Sequence, residues 1–292
     1  MKILLTGADG FTGRHFSLAA GAAGHEVLSL RANLTDAAEV THEINQFAPE
    51  AVVHLAAISF VGHADDSAFY AVNVVGTTNL LAALAALPRP PRKVLLASSA
   101  NIYGNCDVSP IGEKQQPAPV NHYAMSKLAM EYMAHRYAHK FPITIARPFN
   151  YTGPGQSLNF VIPKLVSHFA RGAPSIALGN LGIEREFNDV QMICSAYLQL
   201  LKYGEPGETY NVCSGQPYTL RHVIDLLTRI TGHSIKVEVN PAFVRTNEVH
   251  RLCGSPVKLN ALVNTHGGQL LNPQLEETLE RMLKTVDSSA AS

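Results

Sequence analysis

Lys2-Ile3-Leu4-Leu5-Thr6-Gly7-Ala8-Asp9-Gly10-Phe11-Thr12-Gly13-Arg14 opens the chain as a strand, a glycine-rich turn and the start of a helix. The apolar run has the length of a short buried strand. Three glycines follow at once, spaced G-x-x-G-x-x-G, and a helix-forming run (residues 14–23) comes next. Gly7 permits a sharp turn, Gly10 leaves room for a pyrophosphate against the backbone, and Gly13 lets the helix lie close to the strand. The N–H groups and positive dipole of that helix N-terminus then suit two phosphates. A glycine triplet alone is a weak signal; one set between a first strand and a first helix is much stronger.

Further apolar runs at 26–30, 51–55, 93–97 and 143–147 alternate with longer helical stretches. Runs without polar alternation suit a parallel sheet covered on both faces, so the predicted class is α/β, a doubly wound parallel sheet of the Rossmann type. After the second run, Arg31-Ala32-Asn33-Leu34-Thr35-Asp36 leads almost directly into the next helix. The usual intervening helix and strand are therefore expected to be shortened or missing. Beyond Pro148 the chain is punctuated by Pro and Gly. Residues 189–201 read as a helix and 209–213 as a strand rejoining the sheet. The expected division is 1–153 plus about 186–213 as a dinucleotide-binding domain, with about 154–185 plus 214–292 as a smaller C-terminal α/β lobe.

Lysine plus arginine equals aspartate plus glutamate at 23 each. That balance argues against nucleic acid or an anionic membrane as partner. The 13 histidines show no metal-ligand spacing, and no metal is expected. Cys106, Cys194, Cys213 and Cys253 lie far apart and read as reduced intracellular thiols. The opening apolar run is too short for a signal peptide, and the run at 80–87 falls short of a membrane span. A soluble cytoplasmic protein is expected.

Tyr123-Ala124-Met125-Ser126-Lys127 sets a phenol and an ammonium on one helix face. A free phenol titrates near ~10, and a close cation is expected to lower that toward working pH, making Tyr123 a proton donor or acceptor. Such pairs also arise by chance. Ser98-Ser99-Ala100-Asn101 follows a buried strand at its carboxyl end, the edge where ligands bind in such sheets. The Ser99 hydroxyl could share a substrate oxygen with Tyr123, or simply close its own turn.

Together these segments resemble the extended short-chain dehydrogenase/reductase family, the NAD(P)-dependent sugar-nucleotide epimerases, dehydratases and reductases. TGADGFTG is similar to the family's TGxxGFxG loop, and His54-Leu55-Ala56-Ala57 to its fourth-strand motif beside the cofactor. Asn73-Val74-Val75-Gly76-Thr77 resembles the N-x-x-G-T that opens its fifth helix. Ser99, Tyr123 and Lys127 stand at its catalytic positions. Arg147-Pro148-Phe149-Asn150 resembles its R-P-x-N segment, and Arg185-Glu186-Phe187-Asn188-Asp189-Val190 its diphosphate-holding R-D-F-x-x-V. Within the family the likeness is densest to reductases of GDP-4-keto-6-deoxy-mannose, across residues 147–156, 160–162 and 178–216.

The resemblance implies a site. Gly7, Asp9, Gly10, Phe11, Thr12 and Gly13 would hold the cofactor, with Leu55, Ala56, Ala57, Asn73, Ser98 and Pro148 beside it. Tyr123 and Lys127 would touch both cofactor and reaction. Ser99, Asn150, Val161, Arg185, Arg245 and Glu248 would meet a nucleotide-sugar substrate. Arg31 stands where NAD-selective folds place an acid at the end of the second strand. It can pair with a 2′-phosphate, and Arg14 could add a second charge, so NADP(H) is expected over NAD(H), which stays possible.

A dehydratase needs a carboxylic acid beside the catalytic hydroxyl to expel the C6 oxygen. Ala100 and Asn101 supply none. Reduction of a C4 ketone, NAD-dependent 4-epimerisation and non-catalytic dinucleotide sensing remain, the intact Ser99, Tyr123 and Lys127 set arguing against the last. A homodimer is expected through a four-helix bundle of helices at about 73–87 and 123–140, because residues 78–87 carry apolar or small side chains on more than one face.

Overall fold

The computed structural model describes residues 1–62, 64–243 and 249–290. Strands β1 (Lys2–Thr6), β2 (Glu26–Ser29), β3 (Ala51–His54), β4 (Lys93–Ala97) and β5 (Ile143–Pro148) form one sheet with Thr209–Val212. The order is β2-β1-β3-β4-β5 and then Thr209–Val212, every pairing parallel. Side chains alternate between sheet faces, and both faces are covered. Ile3 and Leu5 of β1 pack with Phe16 and Ala20 of helix α1 (Phe11–Ala22) and with Ile193, Tyr197 and Leu200 of helix Val190–Tyr203. Leu4, between them, packs with Val40 and Ile44 of helix α2 (Ala37–Phe47) and with Leu80 and Leu84 of helix Thr77–Ala86. In the same way β4 sends Leu95 to one core and Val94 and Leu96 to the other. This is the doubly wound sheet that the apolar runs require.

The short link after β2 has the expected consequence. Helix α2, capped by the Asp36 carboxylate on the N–H groups of Ala38 and Glu39 at 2.9 and 3.0 Å, leads straight back to β3 on the other side of β1. β2 is left as the sheet edge.

Two helices differ from expectation. The one expected at 73–87 begins at residue 66, where the Asp65 carboxylate accepts from the Ser67 N–H at 2.9 Å. It runs as α-helix Asp66–Tyr70, π-helix Ala71–Gly76 and α-helix Thr77–Ala86. By length and composition this stretch suffices to cross a membrane, well beyond the short run at 80–87. Here it is a core helix, with Phe69, Asn73, Thr77, Leu80 and Leu84 buried. The helix expected to reach residue 140 spans His122–Ala134 and tightens into a 3₁₀ turn at His135–Tyr137. Pro142 disfavours helical geometry just before it, and the chain turns there into β5.

The smaller lobe has its own core. Ile162, Leu165 and Phe169 of helix Val161–Ala170 meet Val223 and Leu227 of helix Leu220–Thr231 and Leu279 of the C-terminal helix Leu275–Ala290. Strands Ser175–Leu178 and Lys236–Val239 pair beside them. Helix Val257–Thr265, expected in this lobe, instead packs Leu259 and Val263 into the core of the central sheet. Its apolar side chains find the open flank beside Tyr210 and Val212 of the last strand.

Candidate active site

A cleft opens at the carboxyl ends of β1, β3, β4 and β5. Gly7, at φ 71°, lies so close to the β3 exit that a Cβ there would sit 2.8 Å from the Ala56 nitrogen. A Cβ on Gly13 would overlap the Gly7 carbonyl oxygen. Gly10 caps α1 without a side-chain hydrogen bond, so the first-turn N–H groups are left to a ligand. Bare N–H groups, a helix N-terminus and no intruding side chain fit a dinucleotide pyrophosphate. Phe11, Thr12, Leu55, Ala57 and Pro148 extend the lining. Ser98 adds a buried hydroxyl with no hydrogen-bond partner, the kind of orphaned polar atom a bound cofactor satisfies.

Ser99, Tyr123 and Lys127 converge on the same cleft. Ser99 caps the 3₁₀ turn Ala100–Tyr103, its oxygen accepting from the Asn101 N–H and side-chain amide at 3.2 Å each. The serine closes its own turn, and two accepted bonds leave the O–H itself to donate. Burial raises the Tyr123 phenol above its ordinary value, and a hydrogen bond with Ser99 opposes that rise. The expectation that Lys127 depresses Tyr123 is thus corrected. The Lys127 ammonium is turned onto the Ala97 carbonyl at 2.7 Å. Burial lowers Lys127 itself to about 8, with Glu131 acting to hold it up.

Beneath these residues lies a buried network that motif reading missed. One turn beyond Lys127, the Glu131 carboxylate receives Nε and Nη2 of Arg147 at 3.0 and 2.6 Å. Nη1 of Arg147 donates to the Tyr103 hydroxyl at 2.9 Å, which donates in turn to Asn211 at 2.8 Å. Burial pushes the Tyr103 phenol up to about 12. The helix that carries Tyr123 and Lys127, β5 and strand Thr209–Val212 are tied together directly under these side chains. The signal was present as Tyr123, Lys127 and Glu131 at successive four-residue steps on one helix face. Tyr151, Gln156, Phe160 and Leu252 also line the cleft. Tyr151 meets the Thr12 hydroxyl at 2.7 Å and stacks on Phe11.

Several expected residues sit elsewhere. Asn73 is wholly buried behind the cleft lining. Its amide donates to the Ser126 hydroxyl at 3.0 Å and accepts from the Ile58 N–H at 3.1 Å. Ser126 then donates to the Tyr123 carbonyl at 2.8 Å, so Asn73 braces the helix that carries Tyr123. Ala56 lies under Gly7, its N–H on Thr6 Oγ1 at 3.1 Å. Asp9 and Arg31 pair with each other at 2.7 Å on the outer side of the glycine turn. Arg14, expected to offer charge to a phosphate, spends Nη1 and Nη2 on the carbonyls of Asp9 and Gly155.

On the substrate side, Asn150 lines the cleft, while Val161 opens a small-lobe helix and packs against that lobe's core. Arg185 donates to the carbonyls of Glu184 and Val249 and does not line the cleft. Glu186, fully buried, receives the N–H groups of Gly254, Ser214 and Gly215 at 2.6, 2.8 and 3.2 Å. It clamps three segments together rather than facing a diphosphate. Arg245 and Glu248 lie outside the described residues.

The model of the NAD dependent epimerase/dehydratase family matches residues 3–213. The chain belongs to this family. It is an NAD(P)-dependent oxidoreductase of that kind. It is 36% identical over 294 residues to GDP-6-deoxy-D-talose 4-dehydrogenase of Aggregatibacter actinomycetemcomitans, covering 97% of this chain and 98% of that protein. Identity to GDP-6-deoxy-D-mannose reductase of Pseudomonas aeruginosa is likewise 36% over 275 residues, covering 89% and 90%. The structure of RMD from Pseudomonas aeruginosa complexed with NADPH superposes with a TM-score of 0.89 at 32% identity, over 99% of both chains. The fourth-strand motif of the family falls on β3 here, because one edge strand is absent from the sheet.

Proposed function

We propose that the protein reduces the C4 ketone of a nucleotide-activated 4-keto-6-deoxy sugar, GDP-4-keto-6-deoxy-D-mannose, to a GDP-6-deoxyhexose of rhamnose or talose configuration, with NADPH as the preferred reductant. The observation that carries this reading is the meeting of Ser99, Tyr123 and Lys127 in one cleft with no acid at residues 100 and 101. Near-complete alignment with two relatives named for GDP-6-deoxy sugars supports the choice of substrate.

The glycine turn, Lys127 and Pro148 would hold a reduced nicotinamide dinucleotide, which would supply hydride for the sugar C4. Tyr123 gives its phenolic proton to the O4 oxygen as charge develops there, and its raised pKa keeps that proton in place beforehand. Ser99 donates its O–H to the same oxygen and stabilises the charge. Lys127, largely cationic at neutral pH and held on the Ala97 carbonyl, offers its remaining N–H groups to the nicotinamide ribose. Asn150, Val161, Arg185, Arg245 and Glu248 are the residues assigned to the nucleotide sugar in this reading.

Incubation with GDP-4-keto-6-deoxy-mannose and NADPH tests the reading. Loss of reduced-nicotinamide absorbance together with a new C4–H signal in the product NMR spectrum is the expected result. An epimerase would retain NAD through gel filtration and interconvert hydroxy sugars without net change in absorbance. A sensor would bind dinucleotide and turn nothing over.

A further inference from the structure

We propose that Asp9 supplies, from the glycine-rich turn, the carboxylate that recognises the adenosine 2′-hydroxyl of NAD(H), and that its ion pair with Arg31 sets the balance between NAD(H) and NADP(H). This rests on the cofactor reading above and deepens it.

Dinucleotide-binding folds ordinarily place the ribose-recognising acid at the carboxyl end of the second strand. Here that position is Arg31. In the β1–β2 pairing Leu5 lies opposite Ser29, and the Leu30 N–H bonds the Leu5 carbonyl at 2.9 Å. Residue 31 therefore emerges beside the glycine turn, where its guanidinium meets the Asp9 carboxylate at 2.7 Å. A carboxylate is thus present within reach of residue 31, contributed by a different element.

Both partners are held by their backbones. The Asp9 carbonyl accepts from Arg14 at 2.6 Å. The Glu43 carboxylate clamps the N–H groups of Arg31 and Ala32 at 2.9 and 2.6 Å, and Glu39 takes the Asn33 N–H at 3.0 Å. Backbone donors that follow the second strand are thus already occupied by carboxylates, and phosphate recognition falls to the Arg31 guanidinium. Glu39 and Glu43 are likewise engaged, and Asp9 is the carboxylate set against Arg31.

The chemistry of the pair is opposed. A carboxylate accepts from a ribose hydroxyl, which arginine cannot do. A 2′-phosphate accepts from Arg31 and is repelled by Asp9. Each cofactor finds one partner and one antagonist. The side chains of Arg31 and Asp9 are 68% and 81% exposed, and an ion pair so exposed is weak enough for a ligand to open.

The test is direct binding, read by nicotinamide fluorescence without any sugar substrate. The probes are NADH, NADPH and the 2′-deoxyadenosine analogue of NADH, each on wild type, Asp9→Ala and Arg31→Ala. Both substitutions are at the surface and leave the core intact. Asp9→Ala should weaken NADH about tenfold, the scale of one charge-assisted hydrogen bond, while NADPH binds as well or better. Arg31→Ala should weaken NADPH by at least about tenfold and leave the deoxy analogue unaffected. Wild type should discriminate against the deoxy analogue relative to NADH, and Asp9→Ala should lose that discrimination. Unchanged NADH affinity in Asp9→Ala, or discrimination that persists in that variant, overturns the proposal. A wrong catalytic reading would show instead as absent turnover with these ratios intact.

Discussion

In the proposed mechanism Tyr123 acts through a single transferable proton, so replacing it with phenylalanine keeps the packing and removes only that proton. Tyr123→Phe is expected to lower kcat by about 10²–10⁴-fold, the usual worth of a positioned general acid, with NADPH affinity nearly unchanged. Near-wild-type kcat on the keto-sugar would remove Tyr123 from the mechanism. Lys127 sets the pH response. Its pKa is lowered to about 8 by burial, so its positive charge is present below that pH and lost as pH rises through it. The profile of kcat/KM, which reports the free enzyme, should therefore fall on the alkaline side with an apparent pKa near 8. Lys127→Arg, whose guanidinium does not titrate in this range, should remove that limb at a lower overall rate. An alkaline limb unmoved in Lys127→Arg would assign it to another group.

Helix His122–Ala134, which carries Tyr123 and Lys127, is braced from two sides. Asn73, in the π-helical turn, holds it through Ser126, and Arg147 of β5 holds it through Glu131. A π-helical turn departs from the usual four-residue hydrogen-bond step, and such turns recur at functional sites. A histidine on β3 links the same turn back to the glycine loop's strand. His54 bonds Thr6 at 2.7 Å and Thr77 at 2.8 Å, and Thr77 donates to the Asn73 carbonyl. That donation fixes the neutral tautomer with the proton on Nε2, and burial lowers His54 to about 3, which keeps it neutral. The Glu131–Arg147 pair is itself nearly inaccessible, at 5% and 9% exposure. Glu131→Gln leaves a buried guanidinium without its counter-charge and should destabilise the fold by about 3–5 kcal/mol, measured by urea unfolding. A loss below about 1 kcal/mol, the range of exposed pairs, would show that the pair contributes no more than a surface contact.

Across the whole molecule, two lobes with separate apolar cores meet over the cleft, and Asp189 is one fastening between them. It caps helix Val190–Tyr203 through the Gln191 N–H at 2.7 Å and accepts from Thr278 at 2.6 Å and from Arg281, both on the C-terminal helix. The outer face of the central lobe leaves Val75, Met125 and Tyr132 at 50%, 43% and 68% exposure on two neighbouring helices. We propose that a second copy covers this face in a four-helix arrangement. Light scattering should give twice 31.5 kDa, and Met125→Glu with Tyr132→Glu should halve it. A wild type of 31.5 kDa at micromolar concentration would exclude the dimer.

The glycine turn, the apolar runs and the Ser99, Tyr123 and Lys127 set could be read directly, because they depend on local geometry: strand and helix periods, backbone conformation at glycine, and spacing along one turn. The missing edge strand was legible for the same reason, as too few residues follow β2 to build it. Tertiary structure alone decided the rest. It turned Lys127 toward Ala97 and raised Tyr123, because burial depends on what covers a group. It made Glu186 a clamp between three distant segments, joined Glu131 to Arg147, and sent helix Val257–Thr265 back to the central sheet. Each is a contact between residues far apart in the chain, and sequence spacing does not encode such pairings; packing of the two cores does.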